Sequence, residues 1–253
     1  MLPAERRAAI LQMLKTNGSI QVAELSKLFN VSEGTIRRDL DQMSRKGLLE
    51  KTYGGAMSID STGYDPPFAM QKKAFAEEKE RIGRAAAQGV KDGETVFIEA
   101  GTTTLCVARN LRGKKNLLVV TNGIDIAAEL QNDPDISIML TGGDLRKHTA
   151  ALVGPYAEQV LDEVRVDKAF LGVSAITSAR GMSTGSVAEA QIKKAIIRAA
   201  RHVTAVIDHS KFGKEAFAFV APVTVLHKIV TDDKVPEEEL KVLRERGIEV
   251  AVV

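Results

Sequence analysis

The sequence predicts an α/β protein in two parts: a small, mainly helical N-terminal module and a larger domain built on a parallel β-sheet. Apolar residues recur at helical spacing in the first part, whereas short apolar runs alternate with helical stretches after residue 92. Residues 1–57 carry nine Lys and Arg against six Asp and Glu, a net +3, while the remainder carries −1. We therefore place the small module at 1–57, a linker at 58–76 and the larger domain at 77–253.

The composition is that of a folded globular protein. Of 253 residues, 44% are hydrophobic and 27% charged, and no apolar stretch approaches the ~20 residues that a membrane helix needs. The N-terminus lacks a signal-like apolar core, so a cytoplasmic protein is expected. The single Cys106 excludes an intrachain disulfide and a thiolate metal cluster, which fits a reducing compartment. With no Trp and 4% aromatic residues, a stacking platform for single-stranded nucleic acid is not expected.

Three short helices are predicted in the N-terminal module. The first ends at Asn17-Gly18, and the second ends at Phe29-Asn30. Ser32 is a good N-cap for the third, which ends at Lys46-Gly47, and only about three residues separate it from the second. This is the spacing of a helix-turn-helix. The apolar stripes of the three helices are Ile10, Leu11 and Leu14, then Val22, Leu25 and Leu28, then Ile36, Leu40 and Met43.

A hairpin is predicted to follow the third helix. Residues 48–53 form the first strand, Gly54-Gly55 the loop and residues 56–59 the second strand, which together make a wing. By itself the pair Arg37-Arg38 fits a solvated helix face, but three helices, a tight turn and a wing in this order indicate DNA binding. The predicted DNA-binding residues are Ser32, Thr35, Arg37, Arg38, Gln42, Arg45, Lys51 and Tyr53.

The larger domain is predicted to have a Rossmann-like α/β fold. Residues 60–71 are rich in turn formers, and a charged helical stretch covers residues 72–88. Seven short runs, apolar on both sides, then predict buried parallel strands with helices between several of them. The runs are Thr95–Ile98, Leu117–Val120, Ile136–Leu140, Lys168–Val173, Val203–Ile207, Leu226–Val230 and Glu249–Val253.

Small hydrogen-bonding residues follow several of these strands. Such loops gather at the carboxyl edge of an open sheet, where ligands bind and where helix N-termini present free N–H groups to anions. Gly101 to Thr104 is the strongest candidate for a phosphate cradle, since glycine permits close approach and three hydroxyls add donors. Each loop alone is explained by ordinary turns and caps. Several on one edge favour a site for an anionic small molecule.

Other chemistries have less support in the sequence. There is no Walker loop and no dinucleotide-binding glycine motif, so ATP and NAD are disfavoured. The four histidines lack the spacing of metal ligands, and Cys106 lies just inside a predicted helix as a small packed residue, so we expect neither a metal nor a cofactor. No G-x-S-x-G elbow that would hold a nucleophile occurs.

The combined motifs resemble the DeoR family of bacterial transcription regulators over nearly the whole chain. The N-terminal resemblance is carried by Val31 to Leu40, Gly47-Leu48-Leu49 and Tyr53-Gly54-Gly55-Ala56. In the larger domain it is carried by Glu78-Lys79, Gly101 to Thr104, Val120-Thr121-Asn122, Gly142-Gly143, Asp167 to Gly172, Asp208 and Ser210 to Gly213. Their joint occurrence in this order is specific to the family.

This resemblance implies a sensor domain related in fold to ribose-5-phosphate isomerase. It also implies that a phosphorylated sugar or related metabolite controls binding to double-stranded operator DNA, usually in the repression of a sugar-catabolic operon. Two residues depart from the family pattern: Glu99 replaces a more usual Asp, and His209 replaces a usual Ser. The effector-binding residues implied are Gly101, Thr102, Thr103, Thr104, Asn122, Gly142, Gly143, Asp167, Lys193 and Lys211.

Two other functional classes remain open at this point. One is a sugar-phosphate isomerase, with Glu99 or Asp167 as general base. The other is an architectural DNA-binding protein whose larger domain is purely structural. Because the DNA-binding module is small and such modules usually act on paired half-sites, a homo-oligomer, dimer or tetramer, is also expected.

Overall fold

The structure is a computed structural model, and it describes residues 2–17, 19–45, 48–52, 54–57 and 68–253. The chain divides into two compact units, residues 1–66 and 67–253. This division falls inside the interval 58–76 assigned to a linker, and the exact limits of the domains stay predictions. Residues 58–67 lie outside the described part of the chain.

The N-terminal unit packs its three helices around a small apolar core. Ile10 and Leu14 of α1 and the predicted stripe of α3 are buried, whereas Leu11 is only partly buried. The three-residue turn between α2 and α3 is confirmed, with Asn30 in the left-handed conformation. One prediction is wrong: Leu28 is 60% exposed, and Phe29 packs against the core instead. The elements are α1 Pro3–Asn17, β1 Ser19–Gln21, α2 Val22–Phe29, α3 Glu33–Arg45, β2 Glu50–Thr52 and β3 Gly55–Met57.

The wing is a three-stranded antiparallel sheet in the order β1-β3-β2. The sequence predicted two strands, and it missed β1, which has only three residues. Gly55 belongs to β3 and not to the loop, because it pairs with both Gln21 and Thr52. A Cβ at Gly55 would stand 1.9 Å from the carbonyl oxygen of Ile20, so only glycine allows this close approach.

The larger unit is an α/β domain in which all seven predicted strands form one parallel sheet. The order is β15-β14-β12-β9-β4-β5-β6, so the chain starts at β4, moves outward through β5 and β6, and returns to the other side of β4 at β9. This reversal places a topological switch point between β4 and β9. The elements are α4 Phe68–Lys73, α5 Ala76–Gln88, β4 Thr95–Ile98, α6 Thr102–Arg109, β5 Leu117–Thr121, α7 Ile124–Leu130, β6 Ile136–Leu140, β7 Asp144–Arg146, β8 Ala151–Val153, α8 Pro155–Glu163, β9 Val166–Leu171, β10 Ala175–Thr177, β11 Gly181–Thr184, α9 Val187–Ala199, β12 Ala200–Val206, a 3₁₀ turn His209–Lys211, β13 Ala218–Ala221, a 3₁₀ turn Val223–Val225, β14 Lys228–Thr231, α10 Glu237–Glu245 and β15 Glu249–Val252.

Helices cover both faces of the sheet, as the apolar runs predicted. Along β4 the side chains alternate: Val96 and Ile98 pack with α5, α6 and α7, and Phe97 packs with α8, α9 and α10. Gly83 brings α5 close to α6, because a Cβ at this position would lie 2.5 Å from the carbonyl carbon of Cys106. Cys106 is buried, as predicted, and burial raises the pKa of its thiol to about 11.

Several boundaries differ from the sequence predictions. β9 begins at Val166 and β12 at Ala200, each earlier than predicted, because these two residues pair with each other. Helix α4 occupies residues 68–73 of the predicted linker. The short antiparallel pieces β7–β8 and β10–β11–β13 were not predicted, since their runs of three or four residues carry almost no periodicity.

Replacing Gly83 by Ala is expected to destabilise the larger unit by about 1–3 kcal/mol despite the higher helix propensity of alanine, because the new methyl overlaps the backbone of α6. Urea unfolding measures this effect. Gly89→Ala is the matched control, since its Cβ would meet nothing closer than 3.4 Å and should change stability by less than about 0.5 kcal/mol. Equal stability of the two variants would show that α5 moves freely away from α6.

Candidate functional site

Helix α3 presents a polar face opposite its buried stripe. Ser32 caps the helix: its Oγ accepts from the Thr35 backbone N–H at 3.3 Å and lies 3.0 Å from the Thr35 hydroxyl. Gln42 and Arg45 lie further along this exposed face, and Gln42 accepts from the guanidinium of Arg7. The structure therefore brings the predicted DNA-contacting residues of α3 onto one surface.

The two adjacent arginines are exposed, and their present partners are replaceable. Arg37 pairs with Glu33 one turn away at 3.2 Å, with each side chain about half exposed. Arg38 donates from Nε to the carbonyl oxygen of Gly34, also at 3.2 Å. Exposed i,i+4 pairs contribute only about 0.3–0.5 kcal/mol, so a DNA phosphate competes readily with Glu33.

The wing contributes one described candidate. Lys51 on β2 pairs with Asp41 on α3, and this hydrogen bond lowers the pKa of Asp41. Lys51 is exposed next to the α3 face, so the structure brings it into the predicted set. Tyr53, the other wing residue predicted to contact DNA, lies outside the described residues.

A buried ion pair fixes α3 relative to α1. Nε of Arg6 lies 2.6 Å from Oδ2 of Asp39, and both side chains are nearly buried. Sequence reasoning counted Arg6 only as part of the positive charge, because its partner is 33 residues away. The pair has a structural role: it orients the helix whose opposite face carries Arg37 and Arg38.

In the larger unit, the carboxyl ends of β4 and β9 meet at a buried ion pair between Glu99 and Lys193. Glu99 follows β4, accepts from the ammonium of Lys193 on α9, and also accepts from the Gly172 backbone N–H at 2.9 Å. Lys193 donates in addition to the carbonyl oxygen of Gly172 at 2.7 Å. Burial raises the pKa of Glu99, an effect that the ammonium and the N–H group oppose. Three segments are thus joined at the switch point.

The loop after β4 leads directly into α6. Gly101 adopts an extended conformation (φ 169°) that any residue can take, and its nearest side-chain neighbour is the Thr104 hydroxyl, which donates to the Gly101 carbonyl. Thr102 and Thr103 form the first turn of α6 and are each less than a tenth exposed. The backbone N–H groups of a first helical turn have no intrahelical acceptor, so they converge here with the positive end of the helix.

Asn122 lies at the same edge but acts as a positioning residue. Its Oδ1 accepts from the Ala100 N–H at 2.8 Å, and its amide nitrogen donates to the Leu152 carbonyl at 3.2 Å. Gly142 and Gly143 both have positive φ, and a Cβ on Gly143 would lie 2.5 Å from the Val153 carbonyl. These three predicted residues therefore shape the site through the backbone.

A second carboxylate, Glu189 at the start of α9, was missed as a site residue. It lies 3.1 Å from Nε of Arg146 and accepts from the hydroxyls of Thr149 and Thr184 at 2.9 and 3.1 Å. Ser186 and Glu189 have the spacing of a helix capping box, which explains the glutamate locally. The sequence gives no further signal, because Arg146 and Thr149 lie 40 or more residues earlier in the chain.

Two of the predicted effector-binding residues lie at opposite edges of the sheet. Asp167 is the second residue of β9, so it lies at the amino edge of the sheet, where it accepts from the Thr95 N–H at 3.0 Å. The family resemblance alone had placed Asp167 among the effector-binding residues, and the structure puts it at the edge opposite the Gly101–Thr104 loop. Lys211 does lie at the carboxyl edge, in the turn after β12. His209 in the same turn packs against Phe75 and bonds to Asp232.

A cavity of about 180 Å³ lies under α5, beside β9, β12 and β14. It has more free volume than the cleft formed by the loops after β4 and β5, which is lined by Ala100, Gly101 and Gly123. Its two lysines are already paired, Lys168 with Glu94 at 2.5 Å and Lys228 with Glu249 at 2.8 Å. Burial and the neighbouring His227 lower the pKa of His202 on its wall. The cavity offers an anion little uncompensated positive charge, so we place the candidate ligand site at the switch point.

Within the described part of the chain, no group of three or more His, Cys, Asp or Glu side chains is arranged to hold a metal ion. Over the same residues, no helix combines the length and apolar character needed to cross a bilayer.

Comparison with known proteins identifies both units. Residues 6–62 match the DeoR-like helix-turn-helix domain, and residues 74–233 match the DeoR C terminal sensor domain. The chain belongs to the DeoR family. The predicted family is therefore confirmed, and with it the combination of a DNA-binding helix-turn-helix and a larger α/β sensor domain.

Relatives of this DeoR-family regulator are similar along their whole length. It is 34% identical over 250 residues to the glycerol-3-phosphate regulon repressor of Escherichia coli K12, covering 99% of both chains. It is 33% identical over 237 residues to the transcriptional regulator IolR of Bacillus subtilis, covering 94% of both. The names are those of transcription regulators and not of enzymes, which supports the prediction that the chain is a regulator.

Two solved structures show more distant similarity. Ribose 5-phosphate isomerase A from Methanocaldococcus jannaschii is 18% identical, with a TM-score of 0.40 over 54% of each chain. The full-length sorbitol operon regulator SorC from Klebsiella pneumoniae is 12% identical, with a TM-score of 0.40 over 94% of this chain and 97% of that one. These similarities are too weak to bear on function.

Replacing Arg37 or Arg38 by Ala is expected to weaken operator binding. Loss of a base contact should cost about 1–3 kcal/mol and relax sequence preference, whereas loss of a phosphate contact should weaken all duplexes alike and reduce the salt slope by about 1. Fluorescence anisotropy on a selected operator and on random duplexes at several salt concentrations separates the two roles. Arg198→Ala, an exposed arginine of the sensor unit, is the control. Unchanged binding in both variants would contradict a reading role for α3.

Breaking the Glu99–Lys193 pair is expected to destabilise the sensor unit strongly. Either Glu99→Gln or Lys193→Met should cost about 3–5 kcal/mol, because the remaining partner stays buried, and the double variant should recover part of that loss. Urea unfolding of all four proteins gives the coupling. Arg198→Met breaks an exposed pair with Asp162 and should cost less than about 1 kcal/mol.

The stability of the same variants is expected to depend on pH. Burial raises the pKa of Glu99, so the folded state binds a proton at this carboxyl more tightly than the unfolded state does. The stabilisation contributed by this bound proton is present at low pH and is lost as the pH rises through the pKa of Glu99 in the folded state. The loss caused by Lys193→Met should therefore be smaller at about pH 5 than at about pH 8. If the stability losses of the two single variants simply add up in the double variant, Glu99 and Lys193 are not energetically coupled.

Proposed function

We propose that this DeoR-family regulator represses a sugar-catabolic operon and that a phosphorylated sugar effector controls its binding to operator DNA. The observation that supports this most is the grouping at the switch point. The buried Glu99–Lys193 pair stands at the end of β4 and β9, where the loop Gly101–Thr104 opens helix α6. In open α/β sheets this crevice is the usual place for a ligand.

The effector's phosphate is assigned to the first turn of α6. Free N–H groups and the positive helix end favour an anion there, and the Thr102 and Thr103 hydroxyls supply further donors. An ammonium has three N–H donors, of which Lys193 directs two to Glu99 and Gly172. The polar groups gathered at this edge therefore suit a phosphate ester.

The remaining groups suit a polyol. The carboxylate of Glu189 accepts from the hydroxyls of Thr149 and Thr184, and Thr149 also lines the cleft beside Gly101, which supports a ligand with hydroxyl groups. The similar E. coli repressor is named for the glycerol-3-phosphate regulon, which concerns a phosphorylated polyol. We assign the same chemical class to the effector here without naming the sugar.

The arrangement does not favour an isomerase. Glu99 is committed to Lys193 and to the Gly172 N–H, so neither oxygen is directed at a substrate C–H bond. Asp167, the other carboxylate considered as a base, lies at the opposite edge of the sheet. Effector binding alone accounts for the groups at the switch point.

The regulator is expected to act as a homo-oligomer in the cytoplasm, where operator DNA is found. An effector changes DNA affinity only if it binds the DNA-bound and free conformations unequally. Variants of the effector site should therefore repress normally and fail to respond to the effector.

Thr103→Ala is expected to weaken binding of the phosphorylated sugar by about 1–3 kcal/mol, since it removes one donor to a buried phosphate, while operator binding persists. A thermal-shift screen of aldose and ketose phosphates identifies the ligand, and calorimetry with operator release then compares the variants. Thr224→Ala, an exposed threonine of a distant 3₁₀ turn, is the matched control. Equal affinity in Thr103→Ala and wild type would place the phosphate elsewhere.

A further inference from the structure

Helix α4, Phe68–Lys73, is the first described element after the segment that joins the two units. It has six residues, and its two ends contact different parts of the sensor unit. One end lies at the proposed effector site. The other is held by the loops that follow β12 and β14.

The N-terminal end of α4 forms a wall of the effector cleft. The Phe68 backbone N–H donates to the His148 carbonyl at 3.1 Å. Its side chain lines a cleft together with Ala100, Gly101, Gly123, Asp125, Ile126, Thr149 and Ala150. Phe68 therefore lies directly against the loop that leads into α6.

The C-terminal end of α4 is held by a buried ammonium. Nζ of Lys79 donates to the carbonyl oxygens of Gln71 at 2.5 Å and Ala74 at 2.7 Å, and it lies 4.0 Å from Oδ2 of Asp208. Burial lowers the pKa of Lys79, an effect that Asp208 opposes. Releasing this end would leave a nearly buried cation without its acceptors, so the anchor is costly to break.

The turn between α4 and α5 provides a second anchor. Phe75 adopts a left-handed conformation (φ 53°), which is unfavourable for a non-glycine residue. Its ring meets the His209 ring edge-on with centroids 4.6 Å apart, and Asp232 holds His209 through two hydrogen bonds of 2.8 and 2.9 Å. The surroundings thus impose the conformation of this turn.

The cleft beneath Phe68 is too small for a sugar phosphate. It has essentially no free volume in the structure, whereas pockets for small molecules are typically about 300–1,000 Å³. The walls formed by the main sheet loops are fixed, since Ala100 is held by Asn122, and Gly123 donates from its N–H to the Thr121 hydroxyl at 3.0 Å. Phe68 is the wall that a larger ligand can displace.

We infer that α4 is a lever: a bound sugar phosphate displaces Phe68 while the anchored turn at residues 71–79 stays in place. The N-terminal end of α4 is the part of the sensor unit nearest in sequence to the DNA-binding unit, and its displacement is inferred to change operator affinity. This inference rests on the proposed function, because it takes the effector to be a phosphorylated sugar bound at the loop Gly101–Thr104. The effector thereby favours a conformation in which the start of α4 has moved.

A tryptophan at position 68 tests the displacement, since the chain contains no other tryptophan. With Phe68→Trp, a sugar phosphate found by the screen should shift the emission to longer wavelength as the indole leaves the cleft. Inorganic phosphate, which lacks the sugar that would reach Phe68, should not produce this shift. Phe217→Trp places the same reporter at a position already 65% exposed and should not respond to either ligand.

Phe68→Ala tests the coupling. Calorimetry should show that it binds the sugar phosphate as tightly as wild type or more so, because no wall must be displaced. The effector-induced change in operator affinity should nevertheless fall by about fivefold or more. Phe217→Ala should behave as wild type in both measurements.

The outcomes separate the two proposals. Demonstrated sugar-phosphate binding without an emission change in Phe68→Trp, or with undiminished operator release in Phe68→Ala, overturns the lever. Joint loss of effector binding and release in Phe68→Ala also overturns it, since Phe68 would then be only a ligand contact. If no phosphorylated sugar binds the wild type, the proposed function itself fails, and the lever with it.

Discussion

The sensor unit depends on one buried charge pair. Glu99 and Lys193 are 94 residues apart in the chain, yet their contact joins the end of β4, the end of β9 and the first half of α9 at the point where the sheet changes direction. A buried carboxylate requires compensation, and here an ammonium and a backbone N–H supply it. The pair holds the ends of β4 and β9 together through Gly172, to which both of its members are hydrogen-bonded.

The polar residues at this edge divide into those that build the site and those free to meet a ligand. Asn122 and Gly143 hold backbone segments together, so their chemistry serves the shape of the site. Thr102 and Thr103 form the first turn of α6, and no hydrogen bond of their hydroxyls to another part of the site is seen among the described residues. Prediction from residue type treated all of them as ligand contacts, because hydrogen-bonding capacity is visible in a sequence and its use is not.

Local physics made much of the fold predictable. The limits of β4 and β6 match their apolar runs, and α3 begins after Ser32 and carries its buried stripe at Ile36, Leu40 and Met43. What could not be predicted depends on pairing between distant segments. Arg146 and Thr149, two partners of Glu189, come from a segment 40 or more residues earlier in the chain. Asp167 lies at the amino end of β9, and its assignment to the site came from the family resemblance and not from the strand pattern. No sequence pattern indicated a role for Phe68, because that role depends only on where the six-residue helix α4 packs.

The strand order also affects how the chain acquires its structure during synthesis. β4 is the first strand of the seven-stranded sheet to be synthesised, and it lies inside that sheet, with β5 on one side and β9 on the other. The Thr95 N–H on its β9 side bonds to a residue 72 positions further along the chain. At ribosomal rates of about 5–20 residues per second, that side waits roughly 4–14 seconds for its neighbour. During this interval an unpaired strand containing Val96, Phe97 and Ile98 has an open edge, which is the stage at which the nascent protein is most exposed to aggregation.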